Sequence, residues 1–244
     1  MKIKMKTSNK ILFSFLGFAW VSVVGAVFAS VHYSEKEDLL LRETFLLEET
    51  SVDTMPIEGE FSVVSIQNSG ILMFKKEDVS RIEYRQFSYK ESDENASNSS
   101  SPYFIQVKED TLFVRDARMK ENGSLTLYIG QNIKTLILND VTELGTQNAL
   151  NYDSLKVIAS NSSFKLRREH GISFLDLRGD AGAHLSVESI PNLEIHLNQS
   201  KADVSQFLGR VSGNIIESKL TLPRKANEIN LKKDDSSGLM FFSN

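Results

Sequence analysis

The chain has no cysteine. That excludes disulfides, thiolate metal sites, a thiol nucleophile and a lipidated N-terminal cysteine. Positive charge is not in excess either: 28 Lys and Arg stand against 32 Asp and Glu, for a net charge of -4. Such a chain carries no electrostatic footprint for nucleic acid. No Gly-rich phosphate loop is present, and no Ser/His/Asp arrangement can be argued. Histidine is scarce, with only His32, His170, His184 and His196. His184 and His196 fall at different offsets in the repeat described next, so they should not stack on one face. A metal site needs ligands that converge. The histidines therefore read as solvated or corner residues, and neither a metal nor another cofactor is expected.

What is present is alternation. From Ile133 to the C-terminus the chain can be written in rows that open at Ile133, Leu155, Leu175, Leu193, Val211 and Ile229, with steps of 22, 20, 18, 18 and 18 residues. Each row begins apolar-x-apolar-x-apolar, crosses a polar corner and resumes apolar-x-apolar. Examples are Leu155, Val157, Ala159 then Phe164, Leu166, and Leu193, Ile195, Leu197 then Ala202, Val204. The row at Leu175 fits with one extra corner residue. Period two places alternate side chains on one face of a strand. One such row cannot bury its apolar face alone, but stacked rows close a shared core. The corners Asn139-Asp140, Ser160-Asn161, Gly179-Asp180, Asn198-Gln199, Glu217-Ser218 and Asp234-Asp235 carry turn-forming residues. Asn or Ser stacked at one corner could bond up and down the coil. The expectation is an all-β fold, a parallel β-helix or β-solenoid. An antiparallel sandwich is the rival, and the fixed step of 18 favours the solenoid.

Ahead of the rows lie further segments. Residues 1–10 form a basic tail with Lys2, Lys4, Lys6 and Lys10, and residues 11–33 contain no Asp, Glu, Lys or Arg. The run ILFSFLGFAWVSVVGAVFASV suffices for a transmembrane helix, which needs about 20 apolar residues. The lysines would stay cytoplasmic and the remainder would be exported to the periplasm or cell exterior. A signal peptide cleaved after Ala29 is the competing reading. Residues 34–56 read as a spacer. Residues 57–132 read as an irregular β cap region ahead of rungs at 133–244. Within it, residues 61–74 suggest a hairpin or a first coil, residues 79–87 another strand, ESDENASNSSSP at 91–102 a mobile loop, and residues 103–114 a hairpin about Lys108-Glu109-Asp110.

The succession GEFSVVSIQNSG, DTLFVR and GSLTLYIGQNIKTLILND, followed by L-x-L rungs, resembles the putative auto-transporter adhesin, head GIN domain family over residues 57–244. Leu125–Ile129, Asn132-Ile133 and Leu136–Leu138 occupy that family's strand, turn and strand places. The resemblance implies an exported bacterial protein coiled as a right-handed β-helix. It transfers no catalytic residue. The rungs here are poorer in glycine than the family pattern.

Carbohydrate-active β-helices need carboxylates gathered in a groove. Asp176 and Glu194 each follow the opening Leu of adjacent rows, so they should lie one above the other outside the coil. Lys134, Lys156 and Asn230 should share that column, which makes it an ordinary mixed-charge surface. The reading that follows is a non-enzymatic envelope protein binding a protein or glycan. The alternative is an enzyme acting on polysaccharide. The apolar residues of Gly238–Phe242 add a third expectation, self-association through the last rung.

Overall fold

The computed structural model describes residues 47–89, 104–117, 123–147, 150–167 and 170–242, with residues 15, 17, 18 and 20–24 near the start. The basic tail, most of the expected anchor, His32, the first part of the spacer and the 91–102 segment lie outside the described residues. Residues 1–48 with 89–92 group as one compact unit, and residues 49–88 with 93–244 as a second. In the first, the described residues between 15 and 24 are helical, with Phe15, Phe18 and Trp20 exposed. No helix among the described residues is long and apolar enough to cross a membrane.

The second unit has strands and no helix among the described residues. In chain order the strands are β1 (Leu47–Pro56), β2 (Val63–Lys76), β3 (Arg81–Tyr89), β4 (Phe104–Lys108), β5 (Thr111–Arg115), β6 (Gly123–Ile129), β7 (Thr135–Gln147) and β8 (Ser154–Ser160). They continue as β9 (Ser163–Leu166), β10 (Phe174–Asp180), β11 (His184–Asn198), β12 (Lys201–Ile216), β13 (Lys219–Pro223), β14 (Glu228–Lys233) and β15 (Gly238–Phe242).

Alternation becomes burial strand by strand. Leu155, Val157 and Ala159 of β8 point inward, and Lys156 and Ile158 between them do not. Row sits on row in parallel register. Leu155, Leu175, Leu193, Val211 and Ile229 form one inward column, and Val157, Leu177, Ile195, Gly213 and Leu231 form the next. On the second side of the coil Phe164, Leu185, Ala202, Leu220 and Leu239 align. Each fully buried Leu or Ile contributes roughly 1.5–3 kcal/mol by leaving water. The rival sandwich would pair its strands antiparallel, and these rows do not.

The corner between the two sides has one construction. A single residue takes positive φ: Asn68 (51°), Asp140 (54°), Asn161 (45°), Ala181 (51°), Gln199 (50°) and Glu217 (49°). Gly182 at +87° is the extra residue of the Leu175 row. The next residue turns inward and is small and buried in most levels: Ser69, Ser162, Ala183, Ser200 and Ser218. Corner side chains bond along the coil as well. Asn161 Nδ2 donates to Asp140 at 2.7 Å, Asn198 Nδ2 to Asp180 at 2.8 Å, and Gln199 Nε2 to Glu217 at 2.8 Å.

The beginning of the coil does not follow chain order. β2 is itself a level, parallel to β7 through both of its halves. On its other side lie β5 against Val63–Gln67 and β6 against Leu72–Lys76, again parallel. The expected hairpin β4–β5 is present and antiparallel. It closes the edge of β5, while β3 runs antiparallel on β6 and β1 lies beyond β3. One register expectation needs correction. Thr135, not Lys134, stands beside Lys156, because Leu136 stacks on Val157. Ile133 is buried but precedes the strand, so the first step is shorter than the spacing of row openings implied.

Candidate binding face

The outer face of the first side is built by the residues between the inward Leu and Ile positions. Its central column is Lys156, Asp176, Glu194, Ser212 and Asn230. Asp176 and Glu194 are therefore direct register partners on adjacent strands, as their shared offset predicted. The second outward column holds Arg178, His196 and Asn214, also in register. Sequence reasoning did not single out this second column. The signal was available, since Leu-Asp-Leu-Arg and Leu-Glu-Ile-His are the same row offset by one rung.

The two carboxylates do not act on a common point. Arg178 Nε lies 3.2 and 3.3 Å from the two oxygens of Asp176, and Lys156 Nζ lies 3.6 Å from Oδ2. Asp176 is the better covered of the pair, with 13% of its side chain exposed against 41% for Glu194. Glu194 bonds to His196 Nε2 at 3.0 Å, and the other ring nitrogen, Nδ1, meets the Asn214 carbonyl oxygen. The Glu194 bond holds the His196 pKa above its ordinary value, against partial burial and the nearby Arg178 charge. The arrangement is a mixed-charge sheet face in which Asp176 is engaged by Arg178 and Lys156, and Glu194 by the His196 ring.

A shallow depression lies elsewhere, on the second side. Gly182, His184, Gln199, Lys201, Glu217 and Lys219 line it. His184, Lys201 and Lys219 are in register there, and His184 Nε2 is 3.1 Å from Asp203. Neither Asp176 nor Glu194 reaches this depression. His170, on a separate bridge to Leu150, accepts the Ile172 N–H at Nδ1, and burial lowers its pKa. Among the described residues no group of three His, Asp or Glu side chains could hold a metal ion.

The other perturbed titrations belong to the framework. Burial pushes the Tyr152 phenol up to about 12. Burial also lowers the Lys76 ammonium, which donates to the carbonyls of Gly130 and Gln131 at 2.9 and 2.8 Å and lies 5.6 Å above the Tyr152 ring. Hydrogen bonds from Ser236 and Ser237 hold Asp234 down at about 2, at the corner before β15. Perturbed groups gathered in one cleft point to chemistry. These are spread through corners and the start of the coil.

No family model matches the chain, and no curated protein matches it in sequence. Solved structures do resemble it. One from Bacteroides fragilis, named a putative adhesin, superposes with a TM-score of 0.54 at 10% identity, covering 79% of this chain and 98% of that one. A putative adhesin from Parabacteroides distasonis gives 0.46 at 13% identity over 79% and 96% of the two chains. A putative lipid binding protein from Parabacteroides distasonis gives 0.39 at 9% identity over 80% and 96%. At such identity the first of these speaks for the shared β-solenoid fold.

Proposed function

We propose that this chain is a non-enzymatic, membrane-anchored β-solenoid of the bacterial cell envelope that binds a protein or glycan through its outer sheet face. The observation that carries the reading is the ladder of Lys156, Asp176, Arg178, Glu194 and His196. Its groups pair between alternate residues of one strand and between adjacent strands along a face, and do not converge on one reacting atom. Such a face offers many weak polar contacts to an extended partner, whereas hydrolysis of a glycosidic bond needs two carboxyl groups opposed across one bond. The adhesin names carried by structural neighbours agree with this role, and the head GIN resemblance of residues 57–244 points the same way. Residues 11–33 would serve as the anchor, with the lysines before them cytoplasmic and the solenoid periplasmic or extracellular.

The test is binding of the full chain, in detergent, to arrays of purified glycans and envelope proteins. It is repeated with Arg178→Glu and with His196→Ala. Retention of a defined ligand that either substitution weakens supports the reading, provided circular dichroism is unchanged. Turnover of a polysaccharide that disappears in Asp176→Asn or Glu194→Gln would replace it with the carbohydrate-active alternative.

A further inference from the structure

We infer that two copies of this chain associate end to end through the free edge of β14, strand against antiparallel strand. The two ends of the coil differ. At the first, antiparallel β4 and β3 cover β5 and β6. At the last, β14 pairs with β12 and β15 with β13, and no described strand pairs their far edges. A free edge presents unpaired N–H and C=O groups, a template for another strand. The apolar side chains at this end are also incompletely covered. Ile229 is 40% exposed although Val211, beneath it in the same column, is 2% exposed. Phe241 is 45% exposed above a fully buried Leu222.

The occupant is read from β14 itself. Its sequence is Glu228-Ile229-Asn230-Leu231-Lys232-Lys233. Laid antiparallel on itself about Asn230, Glu228 of each copy meets Lys232 of the other. Ile229 meets Leu231 on the inward face, and Asn230 meets Asn230 on the two-fold axis. Centring instead on Leu231 sets Glu228 against Asp234, a like-charge pair that disfavours that register. A shift by one residue in pairing would turn the apolar positions outward. Edge lysines commonly block pairing, but here Lys232 is answered by Glu228 of the second copy. The result is an isologous interface, the same patch used twice, which continues the core from one coil into the next.

The test uses the full chain in detergent, by sedimentation across a wide concentration range. The expected result is a doubling of protein mass as concentration rises. Lys232→Glu alone and Glu228→Lys alone should abolish the doubling, and the two together should restore it. Glu228 also lies 3.2 Å from Arg210 of its own chain, so Lys232→Glu is the cleaner single variant. The absence of native cysteine allows a second readout. Opposed Cβ atoms on antiparallel strands are about 4.5–5.5 Å apart, near the roughly 3.5–4.5 Å of a disulfide. Asn230→Cys should therefore give a covalent dimer on oxidation, while Ser212→Cys, one level inward in the same column, should not. A constant monomer mass overturns the inference. So does a dimer indifferent to both charge reversals, or equal cross-linking at 212 and 230.

Discussion

The hydroxyl of Ser218 accepts the backbone N–H of Ser200 at 3.0 Å, across one full turn of the coil. The same hydroxyl donates to the Ile216 carbonyl at 2.6 Å. The device recurs where Ser237 accepts from the Ser218 N–H at 3.2 Å and Ser162 from the Val141 N–H at 3.0 Å. Where a serine turns inward at a corner, it bonds backbone groups at the break in the regular ladder. An unpaired buried backbone group costs about 1–3 kcal/mol.

Ser218→Ala should therefore destabilise the protein by about 1–3 kcal/mol, since it strips a partner from both Ser200 and Ile216. Equilibrium urea denaturation checks this. A midpoint equal to that of the parent would mean that the serine fills space without bonding.

Gly213 lies in an inward column between Ile195 and Leu231 and has φ of +138°. A Cβ placed there would overlap the Ile195 carbonyl oxygen. Gly213→Ala combines a strained backbone with a clash against the neighbouring strand, so a loss of about 4 kcal/mol is expected. In a solenoid each level contacts only its neighbours. The loss should appear first as faster amide exchange in β12 and β14, and as lower soluble yield. Parent-like exchange in those strands would contradict the packing described.

The rows from Leu155 onward were legible because one face of each strand from β8 to β13 is buried. Period two then specifies both the strand and its register, and the equal offsets of Asp176 and Glu194 carried through to direct pairing. The extra residue in the Leu175 row was legible for the same reason and is seen at Ala181-Gly182. Thr135 was missed because Ile133 is buried and imitates a row opening although it lies before the strand. The placement of β2 between β5 and β7 could not be read from alternation. Period two identifies a strand but does not say which later strand returns to its far side. The His196–Asn214 pairing was overlooked because the histidines were weighed against each other and not against the outward columns of neighbouring rows.

Ala181 takes φ of 51° where other corners use Asn, Asp, Gln or Glu. Its side chain is exposed and short, so it offers no bond in return for the left-handed conformation, which costs an ordinary residue about 1–2 kcal/mol. Glycine removes that cost but loses roughly 0.5–1 kcal/mol of chain entropy. Ala181→Gly should therefore be neutral to stabilising, by about 0.5 kcal/mol. Gln199→Gly should destabilise, because Gln199 also donates to Glu217. Paired thermal melts of the two variants give the comparison, and equal shifts of one sign would refute it.

The pH response should carry the mark of His196. Its pKa is raised in the folded protein, chiefly by the hydrogen bond to Glu194 and further by Asn214, against partial burial and the Arg178 charge. A raised folded pKa means that the native state holds the proton more tightly than the unfolded chain. The stabilisation is fully present below the ordinary histidine value of about 6.5 and is lost as pH rises through the folded value. His170 acts in the opposite sense. Burial lowers its pKa, so its contribution is present above the ordinary value and is lost as pH falls through the lowered one. The two slopes oppose each other, and the parent protein alone cannot separate them. In His196→Gln the falling slope should disappear, so the variant should be destabilised relative to the parent at acidic pH and should converge on it at alkaline pH. The side chain is 36% exposed, so the difference should be small and should shrink with added salt. Urea midpoints of parent and variant measured from acidic to alkaline pH test the sign. A gap that widens as pH rises would show that Asn214 and Glu194 hold the neutral ring instead.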